Sequence, residues 1–179
     1  MTAAEPPSEP TDSSPLRAKV LTVSDGVMAG TREDRGGAGL VARLVQAGFE
    51  VVASQVTGDG RETVGEALVE LAEGFAGLIV TTGGTGFGAR DLTPEGTLVV
   101  LDRQAPGLAE AMRLVSPLGR LSRAVAGTRG RALILNTPGS PAGAVECLEA
   151  VLDVVPHALR LLADQATEHT AQATGGRTN

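Results

Sequence analysis

The 179-residue chain has no tryptophan and no tyrosine, and only three phenylalanines. A platform on which successive nucleic-acid bases stack is therefore not expected. A single cysteine, Cys147, cannot close an intramolecular disulfide, and two histidines, His157 and His169, cannot build a His/Cys zinc site by themselves. Positive charge is in deficit: 15 Lys and Arg against 21 Asp and Glu leave a formal net charge of -6. That balance argues against holding a phosphate backbone or an anionic bilayer through bulk charge. Long apolar runs are missing as well, since the apolar C-terminal stretch is interrupted by Glu146, Glu149, Asp153 and Pro156. The first fifteen residues carry Glu5, Glu9 and Asp12 among Pro and Ser, without the basic and apolar regions of a secretory signal. The expectation is a cytoplasmic protein with no nucleic-acid or membrane partner.

What is present is a globular composition, 42% hydrophobic and 20% charged, at a length that suits one domain. We expect a disordered Pro/Ser/acidic leader over 1–15, one domain over 16–164, and a polar disordered tail over 165–179. Short apolar runs alternate with helical periodicity. Lys19–Ser24, Val51–Val56, Leu78–Thr82 and Ala132–Asn136 read as strands. Between them Leu40, Val41, Leu44 and Val45 recur at helical spacing, as do Val64, Ala67, Leu68 and Leu71, and then Leu108, Ala111, Met112 and Val115. Thr93 before Pro94 reads as a helix N-cap, and Ser140-Pro141 opens a last helical stretch that Pro156 kinks or splits. Apolar runs without strict alternation indicate strands covered on both faces. The predicted fold is thus a single-domain α/β three-layer sandwich with a mostly parallel, doubly wound sheet. In such sheets ligands lie beyond the C-terminal strand ends, which points to the loops after Ser24, Val56, Thr82 and Asn136.

The loop after Thr82 reads Gly83-Gly84-Thr85-Gly86-Phe87-Gly88-Ala89-Arg90-Asp91. Four glycines in six residues let the backbone turn tightly and aim N–H groups at an anion. The spacing lacks the third glycine of G-x-G-x-x-G, and Ala89-Arg90 stands where a Walker A loop needs Lys and then Ser or Thr. Asp91 and Asp59 follow neighbouring strands and suit Mg²⁺, which binds through one or two carboxylates plus substrate phosphates. Asp59 equally suits a capping box with Glu62. Asp25 reads as a hydroxyl or amine ligand or as half of an Asp-Gly turn. Asn136-Thr137-Pro138-Gly139-Ser140-Pro141 is either a nucleotide-contacting turn or a plain strand-to-helix turn. Ser122-Arg123 lies among several arginines that are either phosphate partners or solvated surface. With no G-x-S-x-G elbow, Cys147 in mid-helix and no histidine in a crevice loop, covalent Ser or Cys catalysis is not expected. Phosphoryl or nucleotidyl transfer remains.

These residues together resemble the molybdopterin adenylyltransferases, the MogA/MoaB-like proteins of molybdenum cofactor synthesis. The resemblance runs from about Lys19 to Leu162 and rests on Ser24-Asp25, Ala29-Gly30, Glu33-Asp34, the Thr81–Gly86 loop, Arg90-Asp91, Thr93-Pro94-Glu95, Ser122-Arg123, and Asn136 with Pro138–Pro141. It implies Mg²⁺-dependent transfer of AMP from ATP to molybdopterin, a pterin dithiolene, with release of pyrophosphate. The product would pass to a separate molybdenum insertase. The resemblance further assigns Asp59 and Asp91 to metal and catalysis. Gly83, Gly84, Thr85, Gly86, Asn136, Pro138 and Gly139 fall to the nucleotide, and Ser24, Asp25, Ser122 and Arg123 to the pterin. A homo-oligomer, usually a trimer, is typical of the family. Three positions depart from its pattern: Gly26 replaces a frequent Arg, Gly58 a usual Pro, and Thr137 the Leu of N-L-P-G. A non-catalytic pterin- or nucleotide-binding member is the alternative reading. The length is expected to leave no room for the extra domains of an insertase, and the glycine spacing disfavours a dinucleotide-dependent oxidoreductase.

Overall fold

A computed structural model describes residues 15–163. The expected tail over 165–179 and all but Pro15 of the expected leader lie outside the described residues. Six strands form one sheet in the order β2-β1-β3-β6-β5-β4: β1 (Arg17–Val23), β2 (Glu50–Thr57), β3 (Gly77–Thr82), β4 (Arg103–Gln104), β5 (Ala126–Arg129) and β6 (Ala132–Thr137). The first three and β6 run parallel, while β5 and β4 add an antiparallel edge. The sandwich expected from the apolar runs is thus present, with each strand one or two residues longer or shifted. The two antiparallel strands β4 and β5 escaped the sequence reading. β4 is two exposed residues, and β5 (Ala-Gly-Thr-Arg) lacks an apolar run.

Helices cover both faces. On one lie α2 (Arg35–Gln46), α5 (Pro106–Leu114) and α6 (Pro141–Glu149), whose Leu40, Leu44, Met112 and Leu148 pack against Val20, Leu78, Val80 and Leu135. On the other, Val64, Leu68 and Leu71 of α3 (Arg61–Ala72) pack on Leu21, Ile79 and Ile134. Alternate residues of a strand face opposite sides, which is why β3 over 78–80 and β6 over 132–135 are apolar at consecutive positions; both strands are wholly buried, including the polar residues Thr81, Thr82, Asn136 and Thr137 at their ends. β2 departs from the expectation of two covered faces: it is an edge strand whose Ser54, Gln55 and Val56 are exposed. Truncating a buried leucine such as Leu135 to Ala costs about 2–5 kcal/mol.

Two capping expectations are corrected. Thr93 does not cap α4 (Thr93–Leu98); it is the first helical residue, its N–H donates to the Gly84 carbonyl at 3.1 Å, and its hydroxyl is buried without a partner. Asp59 does not cap α3 either, because Gly60, with φ 136°, occupies that place with no side-chain bond. Ser140 caps α6 as expected, its Oγ accepting the Gly143 N–H at 3.2 Å. The last stripe is split, but over 150–154 rather than at Pro156: α6 ends at Glu149 and helix resumes over 155–163, with the proline in its first turn, where its missing N–H is tolerated.

Candidate active site

The parallel strands end side by side, Val23 next to Thr57, and Thr22, Thr82 and Thr137 in one row. The hydroxyls in this row tie the exit loops down. Thr82 Oγ1 donates to the Pro138 carbonyl at 2.8 Å, Thr137 Oγ1 to the Thr81 carbonyl at 2.7 Å, and Thr22 Oγ1 to Asp34 Oδ2 at 2.8 Å. Asp34 uses its other oxygen to accept the Gly37 N–H at 2.8 Å and so caps α2. Above this row lies a cleft of ≈830 Å³, within the range of small-molecule sites.

Ser24, Asp59, Gly83, Gly84, Thr85, Gly86, Asp91, Ser122, Pro138 and Gly139 line the cleft, so four separate loops converge as expected. The glycine turn needs its glycines. Gly83 has φ +105° and an added Cβ would stand 2.2 Å from the Val23 carbonyl oxygen; Gly84 has φ +64° and a Cβ there would meet Thr93 Oγ1 at 2.3 Å.

Three expected ligand residues have other duties. Asn136 is fully buried beneath the cleft: its Nδ2 donates to Thr81 Oγ1 and Thr97 Oγ1, each at 3.0 Å, and its Oδ1 accepts the Val125 N–H at 3.3 Å. Arg123 turns into the glycine loop. Its N–H donates to the Thr85 carbonyl at 2.9 Å and its Nε to the Gly86 carbonyl at 2.8 Å, while Nη2 reaches the Asp91 carbonyl and Nη1 the Glu95 carboxylate. Burial pushes the Glu95 pKa up, but the Arg123 guanidinium and a backbone N–H outweigh it and hold the carboxyl below its ordinary value.

Asp25 is neither a free turn residue nor on the cleft wall. It opens the short helix α1 (Asp25–Met28) after the Ser24 cap, and its Oδ2 accepts from Arg90 Nε at 2.8 Å. Arg90 Nη2 also donates to the Asp59 carbonyl at 2.9 Å. The Arg90 bond first, and the Asp59 N–H second, hold the Asp25 carboxyl below its usual range. The sequence reading did not single out Arg32, Arg35 or Thr22, which also line the cleft. The signal was the Asp34 cap followed by Gly36-Gly37, which brings the α2 start against the strand ends.

Asp59 and Asp91 each have one committed oxygen: Asp59 Oδ2 accepts the Asp25 N–H at 2.9 Å, and Asp91 Oδ2 the Gly88 N–H at 2.8 Å. Oδ1 of each accepts no hydrogen bond among the described residues. That donor set fits a hard cation that keeps most of its waters. No group of three or more acidic, His or Cys side chains among the described residues converges to hold a metal alone. No helix of the described residues is long and apolar enough to cross a membrane.

Residues 19–172 match the family model described as a probable molybdopterin binding domain. The chain is 37% identical over 155 residues to the molybdopterin adenylyltransferase of Helicobacter pylori strain J99, covering 80% of this chain and 85% of that protein. To the molybdopterin adenylyltransferase of Escherichia coli K12 it is 39% identical over 146 residues, covering 77% and 74%. Among solved structures, the molybdopterin biosynthesis enzyme MoaB of Thermus thermophilus aligns with a TM-score of 0.78 at 50% identity, over 82% of this chain and 96% of that one. The Mog protein of Mycobacterium ulcerans aligns with a TM-score of 0.76 at 41% identity, over 82% and 99%.

Proposed function

The chain belongs to the molybdopterin-binding domain family, and from that premise we propose that it transfers AMP from ATP to molybdopterin, with Asp59 and Asp91 at the reacting centre. The observation that carries this reading is the pair of cleft-lining carboxylates with uncommitted oxygens beside a glycine turn that only glycine can form. In the reaction an oxygen of molybdopterin attacks the α-phosphorus of ATP. A new P–O bond forms, the α–β bridging P–O bond breaks, and pyrophosphate leaves with the bridging oxygen.

The chain's residues position and stabilise rather than attack. The turn at Gly83 and Gly84 lets phosphates approach the backbone, and the Pro138-Gly139 turn, anchored by Thr82, walls the nucleotide side. Ser24 and Ser122 line the same cleft and would face the pterin. Asn136 and Arg123 act beneath and behind these groups. Asp59 and Asp91 would hold Mg²⁺, which when bound neutralises charge on the phosphates. The same reading carries a cytoplasmic homo-oligomer, a trimer, that hands its product to a molybdenum insertase.

The test is transfer of label from α-³²P-ATP to molybdopterin by wild type and by Asp59→Asn. Labelled adenylyl-molybdopterin from wild type and at least a hundredfold less from the variant supports the reading. Molybdopterin bound by wild type without any labelled product overturns it in favour of a binding-only member.

A further inference from the structure

Four arginines stand around the cleft, and three have a carboxylate partner within the protein. Arg35 Nε lies 2.9 Å from Glu33, Arg90 Nε lies 2.8 Å from Asp25, and Arg123 pairs with Glu95. Arg32 lines the cleft, is exposed, and its guanidinium has no carboxylate partner among the described residues. Its backbone is nevertheless fixed. The Gly26 carbonyl accepts the Thr31 N–H at 2.9 Å, the Thr31 hydroxyl at 3.0 Å and the Arg32 N–H at 3.0 Å. The Arg32 side chain lies alongside Gly26: a Cβ added there would stand in van der Waals contact with Arg32 Cβ at 3.5 Å and Arg32 Nε at 3.8 Å. Arg32 therefore runs along the face that residue 26 leaves bare, on a tethered base at the edge of the cleft.

The cleft is otherwise poor in available positive charge. Glu33, Asp34, Asp59 and Asp91 share its wall, the chain carries a net charge of -6, and the other arginines are spent on carboxylates. A polyanionic substrate entering such a cleft needs a cation without an internal partner. A guanidinium suits that need, since its planar fork matches two phosphate oxygens at once. We propose that Arg32 binds a phosphate group of a substrate in this cleft. The inference rests on the adenylyl-transfer reading, in which ATP carries three phosphates and molybdopterin a terminal one, and it names the residue that receives one of them.

Calorimetric titration of the full chain with an ATP analogue uncleavable between the α and β phosphates, and separately with molybdopterin, tests this. Variants Arg32→Ala, Arg32→Lys and Arg131→Ala are compared with wild type. Arg131 lies in the turn between β5 and β6, at the end of the sheet away from the cleft, and its variant removes the same charge. The expected result is a ten- to hundredfold (roughly) weaker affinity of Arg32→Ala for one of the two ligands, an intermediate loss in Arg32→Lys, and less than twofold change in Arg131→Ala. The titration that moves identifies which substrate's phosphate Arg32 holds. Binding of both ligands by Arg32→Ala within twofold of wild type overturns the inference, as does an equal loss in Arg131→Ala, which would make the effect one of bulk charge. Failure of wild type to bind either ligand would instead overturn the adenylyl-transfer reading, and the inference with it.

Discussion

Asp25 and Asp59 hold each other reciprocally: the Asp25 N–H donates to Asp59 Oδ2 at 2.9 Å, and the Asp59 N–H donates to Asp25 Oδ1 at 3.0 Å. Two loops that leave different strands are thereby joined, and Arg90, bonded to both, closes the joint. The proposed metal-holding carboxylate is consequently oriented by a residue that does not itself line the cleft.

Removing the closure tests that orientation. Arg90→Ala is expected to lower kcat about tenfold or more through misplacement of Asp59. It also has a pH signature. Asp25 sits below its ordinary value of 3.8, so its stabilising contribution is present above that pH and is lost as pH falls through the depressed value. The stability difference between wild type and Arg90→Ala should therefore be largest near neutrality and shrink in acid below about 3.8, as read by urea midpoints at stepped pH. A constant difference down to strongly acid pH would contradict the ion-pair account.

Arg123 binds Thr85, Gly86, Asp91 and Glu95, both ends of the loop that carries Asp91. Arg123→Lys keeps the charge and the backbone bond to Thr85 but cannot reach the Gly86 and Asp91 carbonyls and the Glu95 carboxylate at once. The expected outcome is a loss on the order of 2 kcal/mol in unfolding free energy and a fall in kcat that exceeds any rise in KM for ATP. A change confined to the KM for molybdopterin would return Arg123 to direct pterin contact.

Glycine substitutions separate a required turn from a permissive one. Gly83→Ala forces a Cβ toward the Val23 carbonyl at a positive φ, with an expected cost of about 1–3 kcal/mol and weaker ATP binding. Gly107→Ala, in α5 with nothing within 4 Å of its added Cβ, should raise stability by roughly 0.5–1 kcal/mol. Thermal melts of both variants check the contrast.

Sequence periodicity sufficed for the four parallel strands because the central ones are apolar on both faces and the helices carry regular stripes; β4 and β5 have no such runs. The same signal cannot show which strand ends are adjacent in space, so Arg90 read only as a neighbour of Asp91 rather than as the link between Asp25 and Asp59. Polar residues at strand ends were the other blind spot. Asn136 beside Pro138-Gly139 reads as part of a ligand-binding turn, yet it is the last but one residue of β6, with a side chain that points into the layer between Thr81 and Thr97. Likewise Thr93 before Pro94 has the composition of a cap, but its amide closes onto Gly84 and draws it one residue into the helix.

The reassignment of Asn136 is itself testable. Asn136→Ala removes the donor to the Thr81 and Thr97 hydroxyls, the latter keeping its bond to the Thr93 carbonyl, and the acceptor of the Val125 N–H, at a cost of about 2 kcal/mol. A lowered urea midpoint at unaltered slope is the expected reading. Wild-type stability with lost nucleotide affinity would restore Asn136 to the nucleotide site.

The most direct test of the central claim is pyrophosphate release from ATP and Mg²⁺, measured with and without molybdopterin, for wild type and Asp91→Ala. The account predicts release that depends on molybdopterin and falls by at least a hundredfold in the variant while its circular dichroism spectrum is kept. Release at the wild-type rate from Asp91→Ala, or none from wild type with both substrates bound, would contradict it.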